Sequence, residues 1–180
     1  MLAKHVNILV VLLLVTSAGL AQKQTFTNPL LPSGADPYSF YKDGYYYYTH
    51  TMQDSLVIWK TKNLANLKTA EHKTIFVPTK GTMYSQDLWA PEIHFINNKW
   101  YAYFAADGGV NEQHRMYVLQ NDSVDPTKGD WEFKGQIGDS TNKWAIDGDV
   151  FEHKGQLYMI WAGWQGVSDA NFGGTGTARG

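Results

Sequence analysis

The sequence predicts an all-β fold built from repeated sheets, and three observations predict it. Three segments read alike, at residues 36–48 (DPYSFYKDGYYYY), 90–102 (APEIHFINNKWYA) and 147–159 (DGDVFEHKGQLYM). Each holds a turn dipeptide between two β-prone runs: Asp43-Gly44, Asn97-Asn98 and Lys154-Gly155. That order is the signature of a tight hairpin. The third observation is negative: no stretch carries sustained helical periodicity with caps.

Registering the segments on their turns aligns Tyr47, Tyr101 and Tyr158 in one column and Phe40, His94 and Phe151 in another, at offsets of 54 and 57 residues. Further strand-like stretches follow the hairpins. They are Leu56–Lys60 and Thr74–Val77 after the first, then Arg115–Leu119 and Trp131–Ile137 after the second. Two inner and two outer strands per unit make a four-stranded antiparallel sheet that cannot bury its faces alone, the sequence mark of a propeller blade. About two and a half such units are present, fewer than the four a propeller needs to close.

The ends of the chain read differently. Lys4 and His5, an apolar run from Ile8 to Val15 and the small-residue stretch Ser17 to Ala21 have the order of a secretory signal peptide, with cleavage expected after Ala21. The apolar run is too short to span a bilayer. The expected organisation is therefore a signal peptide at 1–21, a partial propeller domain at 22–164 and an irregular Gly-rich end at 165–180, read as a truncation.

Composition narrows the function classes. The chain has no cysteine, which excludes a disulfide framework and leaves stability to packing. A formal net charge of −2 without a basic run points away from nucleic acid and anionic membrane. Seven Trp and eleven Tyr supply flat apolar faces suited either to a core or to stacking against sugars.

Asp36 and Asp147 occupy the same repeat column, where the second unit has Ala90. Each is expected at the start of its hairpin's first strand, and equivalent positions on different blades converge at the axis, so both carboxylates are expected to face one central cavity. A carboxylate pair is what glycoside hydrolysis demands, one to activate water and one to manage the proton of the leaving oxygen. The competing reading is that Asp-Pro and Asp-Gly are turn dipeptides. Glu92 and Asp149 fall two residues further on, level with Tyr38; they are candidates for the acid of such a pair, with a polar residue at the inner end of a blade as the favoured reading. Glu152 is placed near a strand end. Asp43, Asp107, Asp122, Asp125 and Asp139 lie near Gly or Pro and are assigned to turns. Trp89 is a candidate stacking platform for a pentose ring or an inter-blade core residue, and Trp164 is a weaker candidate of the same kind. His50, His72, His94, His114 and His153 show no metal-ligand spacing, so no metal site is expected from this segment.

Three motifs in order, Gly34-Ala-Asp-Pro-Tyr38, Leu88-Trp-Ala-Pro-Glu92 ahead of Trp100-Tyr101, and Ala145-Ile-Asp-Gly-Asp-Val-Phe151, make the chain resemble glycoside hydrolase family 43, the five-bladed propeller enzymes. The resemblance covers the chain from about Asn28 to Trp164. It implies that Asp36 is the general base of an inverting mechanism and that Asp147 tunes the pKa of the acid and helps hold the sugar. The family's general acid is a Glu on the next blade, which this sequence lacks, so the 180-residue chain by itself is expected to be inactive. The implied activity is a secreted or periplasmic glycoside hydrolase acting on terminal α-L-arabinofuranosyl linkages of plant polysaccharide. β-Xylosidase and endo-arabinanase are alternatives within the family, and a non-catalytic sugar-binding propeller is an alternative outside it. No cofactor is expected. Related propellers hold a cation near the axis through a His on a later blade, a residue absent here. The expected partner is an oligo- or polysaccharide, with no nucleic acid and no membrane after signal cleavage.

Overall fold

The computed structural model describes residues 25–164. The expected signal peptide and the Gly-rich end lie outside them. The described residues form ten strands: β1 (Tyr38–Lys42), β2 (Tyr45–Thr49), β3 (Leu56–Thr61), β4 (Glu71–Phe76), β5 (Gln86–Ile96), β6 (Lys99–Asp107), β7 (Arg115–Asn121), β8 (Glu132–Ile137), β9 (Ala145–His153) and β10 (Gln156–Gly163). Only two short 3-10 turns, Leu64–Thr69 and Asn111–Gln113, interrupt the β-structure among the described residues.

The strands form two four-stranded antiparallel sheets in sequential order, β1-β2-β3-β4 and β5-β6-β7-β8, followed by the hairpin β9-β10. These are two open blades and the inner half of a third. The three hairpins share one geometry. Both loop residues have positive φ in each: Asp43 and Gly44 at 51° and 81°, Asn97 and Asn98 at 50° and 61°, Lys154 and Gly155 at 51° and 75°. A two-residue turn with φ > 0 at both positions matches the right-handed twist of the flanking strands, and Asn, Asp and Gly tolerate it best. With the turn set, the register follows. Phe40 pairs with Tyr47, His94 with Tyr101 and Phe151 with Tyr158, so the two sequence columns are cross-strand partners in all three units.

Packing follows the period of two along each strand. On β6, Trp100, Ala102, Phe104 and Ala106 turn toward the first sheet, where they meet Tyr47, Leu56 and Ile58. Tyr103 and Ala105 turn the other way, toward Met116, Ala145 and partners on β9 and β10. The middle blade is thus buried on both faces. The far face of the first sheet is covered by Leu67 of the first 3-10 turn and by Leu30 and Leu31 of the N-terminal segment, which pack on Val57 and Trp59.

Polar links reinforce the contact of the first two sheets. Lys60 pairs with Asp125, and Lys73 Nζ donates to Gly129 C=O at 2.6 Å. The turn assignment of the acidic residues holds at several positions, where the side chain accepts the backbone N–H two residues on: Asp107 from Gly109, Asp125 from Thr127 and Asp139 from Thr141.

Trp100 is the largest fully buried side chain. Its ring contacts Phe40, Tyr47 and Phe95, and its indole N–H donates to Val124 C=O at 3.1 Å. Trp100→Ala should therefore destabilise the protein by about 3–5 kcal/mol, through lost burial plus the cavity left behind. Phe151→Ala, at a side chain 42% exposed, should cost less than about 1 kcal/mol. Denaturant unfolding of the two variants checks the contrast, and equal losses would refute the inter-sheet role of Trp100.

Candidate active site

The column that contains Asp36 and Asp147 has a common backbone conformation. Asp36, Ala90 and Asp147 all sit at positive φ, 50°, 42° and 53°. Non-Gly residues rarely adopt this region, and alanine has no side-chain hydrogen bond to offset the strain. Its recurrence at three equivalent places identifies a built feature of the blades. At Ala90 and Asp147 the cause is visible in the ladder. Pairing steps from Trp89↔Ala105 to Glu92↔Tyr103, and from Ile146↔Ala162 to Asp149↔Ile160, so each inner strand carries one extra residue. Such bulges re-aim a side chain and are common beside active sites.

This corrects one sequence expectation. Asp147 does not begin its strand and Asp147-Gly148 is not a turn; β9 starts at Ala145 and the pair lies on the bulge. Asp36 does precede β1, which begins at Tyr38.

The charge of Asp36 acts on Asp147. Asp147 has its pKa raised, first by partial burial and then by the negative charge of Asp36. Asp36 Oδ2 accepts a hydrogen bond from Thr51 Oγ1 at 2.7 Å, and the same hydroxyl oxygen accepts from Ala90 N–H at 2.8 Å. Thr51 N–H donates to Ala35 C=O at 3.0 Å.

Two residues along the inner strands, a second level forms. Tyr38, Glu92 and Asp149 stand in equivalent positions, and the structure brings them together with His94. His94 Nε2 lies 3.1 Å from Glu92 Oε2 and 3.8 Å from Asp149 Oδ1, and the rings of Tyr38 and His94 are 5.4 Å apart. Burial raises the Glu92 pKa, the hydrogen bond with His94 opposes the rise, and the charge of Asp149 adds to it. Burial together with Glu92 and Asp149 also pushes the Tyr38 phenol well above its ordinary range. Glu92, His94 and Asp149 each offer one ligand atom, all within 4.8 Å of one another. This set of two carboxylates and an imidazole is chemically suited to a divalent cation. Histidine spacing could not reveal it, because the three ligands come from two blades.

Trp89 is half-buried beside this column. Its indole stacks on His114 with ring centroids 4.1 Å apart and planes 27° from parallel, and its N–H donates to Gln53 Oε1 at 3.0 Å. His114 is fully buried: Nε2 lies 3.2 Å from Asp87 C=O, while Nδ1 lies 3.1 Å from Asn111 C=O and 3.0 Å from Asp107 Oδ2. Asp107 is also fully buried, so the turn assignment of this residue captured only half of its role. Trp164 stacks on Trp144 at 4.7 Å and lines a separate cavity of about 400 Å³ with Arg115, Met159 and Trp161; neither Asp36 nor Asp147 borders it. Glu152 is exposed in β9 opposite Leu157.

The electrostatics of Asp147 have a consequence for stability. Its folded pKa lies above the ordinary aspartate value near 3.8, so folding favours the protonated form. The contribution to stability is fully present below that value and is lost as pH rises through the folded pKa. Asn keeps the shape, tolerates positive φ and carries no charge. Asp147→Asn should therefore melt at a higher temperature than the parent at pH 7, with the difference closing near pH 3. Thermal melts across pH test this, and an Asn variant less stable at pH 7 would sink it.

Comparison with known proteins shows the family. The sequence profile described as glycosyl hydrolases family 43 matches residues 26–176. Over 152 residues the chain is 40% identical to an extracellular exo-α-(1→5)-L-arabinofuranosidase of Streptomyces avermitilis, covering 82% of this chain and 31% of that protein. It is 36% identical to the Streptomyces chartreusis protein of the same description, covering 82% and 46%. Among solved structures, an α-L-arabinofuranosidase from Lactobacillus brevis superposes with a TM-score of 0.72 at 37% identity, covering 78% of this chain and 47% of that one. A Bacillus subtilis arabinanase shares the fold at a TM-score of 0.55 and 22% identity, covering 72% and 47%. The chain spans less than half the length of each of these proteins. With the matched profile spanning most of the sequence and the blade repeat visible in the fold, the chain belongs to glycosyl hydrolase family 43.

Proposed function

We propose that the protein carrying this segment is an exported hydrolase that removes terminal α-L-arabinofuranosyl units from plant polysaccharide with inversion of configuration. The observation that carries this reading is the pair Asp36 and Asp147, held at equivalent strained positions and coupled through their charges. The arabinofuranosidase descriptions of the Streptomyces and Lactobacillus relatives support the substrate class. The word extracellular in the Streptomyces descriptions, with the signal-like run from Lys4 to Ala21, supports export.

In this mechanism Asp36 is the general base. It takes a proton from the water whose oxygen attacks C1, the bond from C1 to the leaving oxygen breaks, and a general acid protonates that oxygen. The family resemblance assigns the acid to a Glu on a further blade, across the bond from Asp36. Asp147 acts on that acid: its negative charge disfavours loss of the acid's proton, which keeps the acid in its donating form. Trp89 offers an aromatic face to the sugar ring, whereas Trp164, stacked on Trp144 in a separate cavity, has no such role.

A sugar-binding propeller without catalysis is the competing reading. Binding alone gives no use for two carboxylates whose mutual repulsion raises the energy of the folded state, and the coupled pair favours the enzyme.

Hydrolysis of an aryl α-L-arabinofuranoside by the full-length enzyme tests the proposal. Asp36→Asn should lower kcat by about 10²- to 10⁴-fold while sugar binding survives. Asp147→Asn should pull in the alkaline limb of the pH-rate profile, because the acid then loses its proton more easily. An Asp36→Asn enzyme with parental turnover would remove Asp36 from the mechanism.

A further inference from the structure

The connection between β2 and β3 runs past the strained column, and four of its hydrogen bonds reach Asp36, Trp89 or the residue just before each of them. Thr51 N–H donates to Ala35 C=O, the carbonyl immediately before Asp36, at 3.0 Å. Thr51 Oγ1 donates to Asp36 Oδ2 at 2.7 Å. Gln53 C=O accepts from Leu88 N–H at 2.9 Å, and Gln53 Oε1 accepts from the Trp89 indole at 3.0 Å. An isolated bridge between Gln53 and Leu88 marks the same seam.

The direction of the bonds at Thr51 is determined. Ala90 N–H can only donate, so at 2.8 Å it occupies a lone pair of Thr51 Oγ1. The hydroxyl proton is then left for Asp36, whose carboxylate can only accept when ionised. The chain Ala90 N–H to Thr51 O–H to Asp36 Oδ2 is one-way, and it ties one oxygen of the carboxylate to the first blade. It also supplies a partner for the backbone N–H of Ala90 at its strained φ of 42°. Thr51 is 6% exposed, so its hydroxyl is shielded from bulk water although Asp36 itself is exposed.

The geometry points to this connection as a positioning strap, in which Thr51 orients the base Asp36 and Gln53 orients the sugar platform Trp89. Both are positioning residues; neither touches the reacting atoms. The inference rests on the reading of Asp36 as base and of Trp89 as platform, and it adds that the two are set by neighbouring residues of one short segment on the first blade. Base and platform sit on different blades, so a strap that grips both fixes the distance between the water-activating oxygen and the bound ring. Misplacement on the order of 1 Å is enough to cost about 10²-fold in rate.

The test is a split between kinetic constants, measured on the full-length enzyme with an aryl α-L-arabinofuranoside. Thr51→Val keeps the shape and removes the hydroxyl, and it should lower kcat by about 10- to 100-fold with KM within about twofold. Thr51→Ser restores the donor and should recover kcat to within about threefold of the parent. Gln53→Leu should raise KM by about three- to tenfold, the worth of one aromatic contact, with kcat nearly unchanged. General loosening of the fold would lower kcat and raise KM together in all three variants, and that pattern would overturn the strap. Amide exchange gives a readout independent of turnover: Ala90 N–H should exchange at least about tenfold faster in Thr51→Val and at the parental rate in Thr51→Ser. An unsubstituted enzyme without hydrolysis would overturn the functional reading alone, and unchanged Ala90 exchange in Thr51→Val would overturn the strap alone.

Discussion

Burial of one sheet face by the next is the constraint on which the rest of this structure depends. A four-stranded sheet with apolar side chains on both faces has no stable existence alone, and β6 shows why the blades must stack. Trp100, Ala102, Phe104 and Ala106 need the first sheet, while Tyr103 and Ala105 need the third unit. Small alanines alternate with large rings along this strand, which lets neighbouring backbones approach while the rings fill the space between them. Stacking in this way brings the inner strands β1, β5 and β9 side by side, and residues equivalent by repeat become neighbours in space.

The site uses that convergence and strains it. Three non-Gly residues at positive φ, two like charges in one column and a carboxylate-rich second level at Glu92 and Asp149 all raise the energy of the folded state. The compensation comes from the inter-sheet cores around Trp100 and Phe104 on β6, the strand paired with β5, outside the site. A rigid stack of sheets can hold a strained column because the bulges at Ala90 and Asp147 are over-determined by ladders on either side. The burial of Asp107 against His114 applies the same logic one shell further out, anchoring the start of β5 through Asp87 C=O and the ring of Trp89 through stacking.

Much of the fold was legible in the sequence. The three hairpins, their turn residues and the two aligned columns could be read directly, because a two-residue turn and a period of two are local properties of the chain. The pairing of Phe40 with Tyr47, of His94 with Tyr101 and of Phe151 with Tyr158 follows from the turn alone. The equivalence of Asp36 with Asp147 was legible for the same reason. The bulge at Asp147 was not, since an extra residue in one strand shows only against its partner.

The sequence by itself determined the all-β class, the blade repeat, the strand register and the choice of Asp36 and Asp147 as the pair to examine. Tertiary structure alone decided what surrounds them: Thr51 on Asp36, His94 between Glu92 and Asp149, His114 beneath Trp89 and Gln53 at its indole N–H. Thr51 and Gln53 lie outside the hairpin repeat and so have no column to reveal them, and most of the other contacts join different strands or different blades. Local periodicity specifies which face a side chain takes, but only the packing of one sheet against another specifies which side chain it meets there.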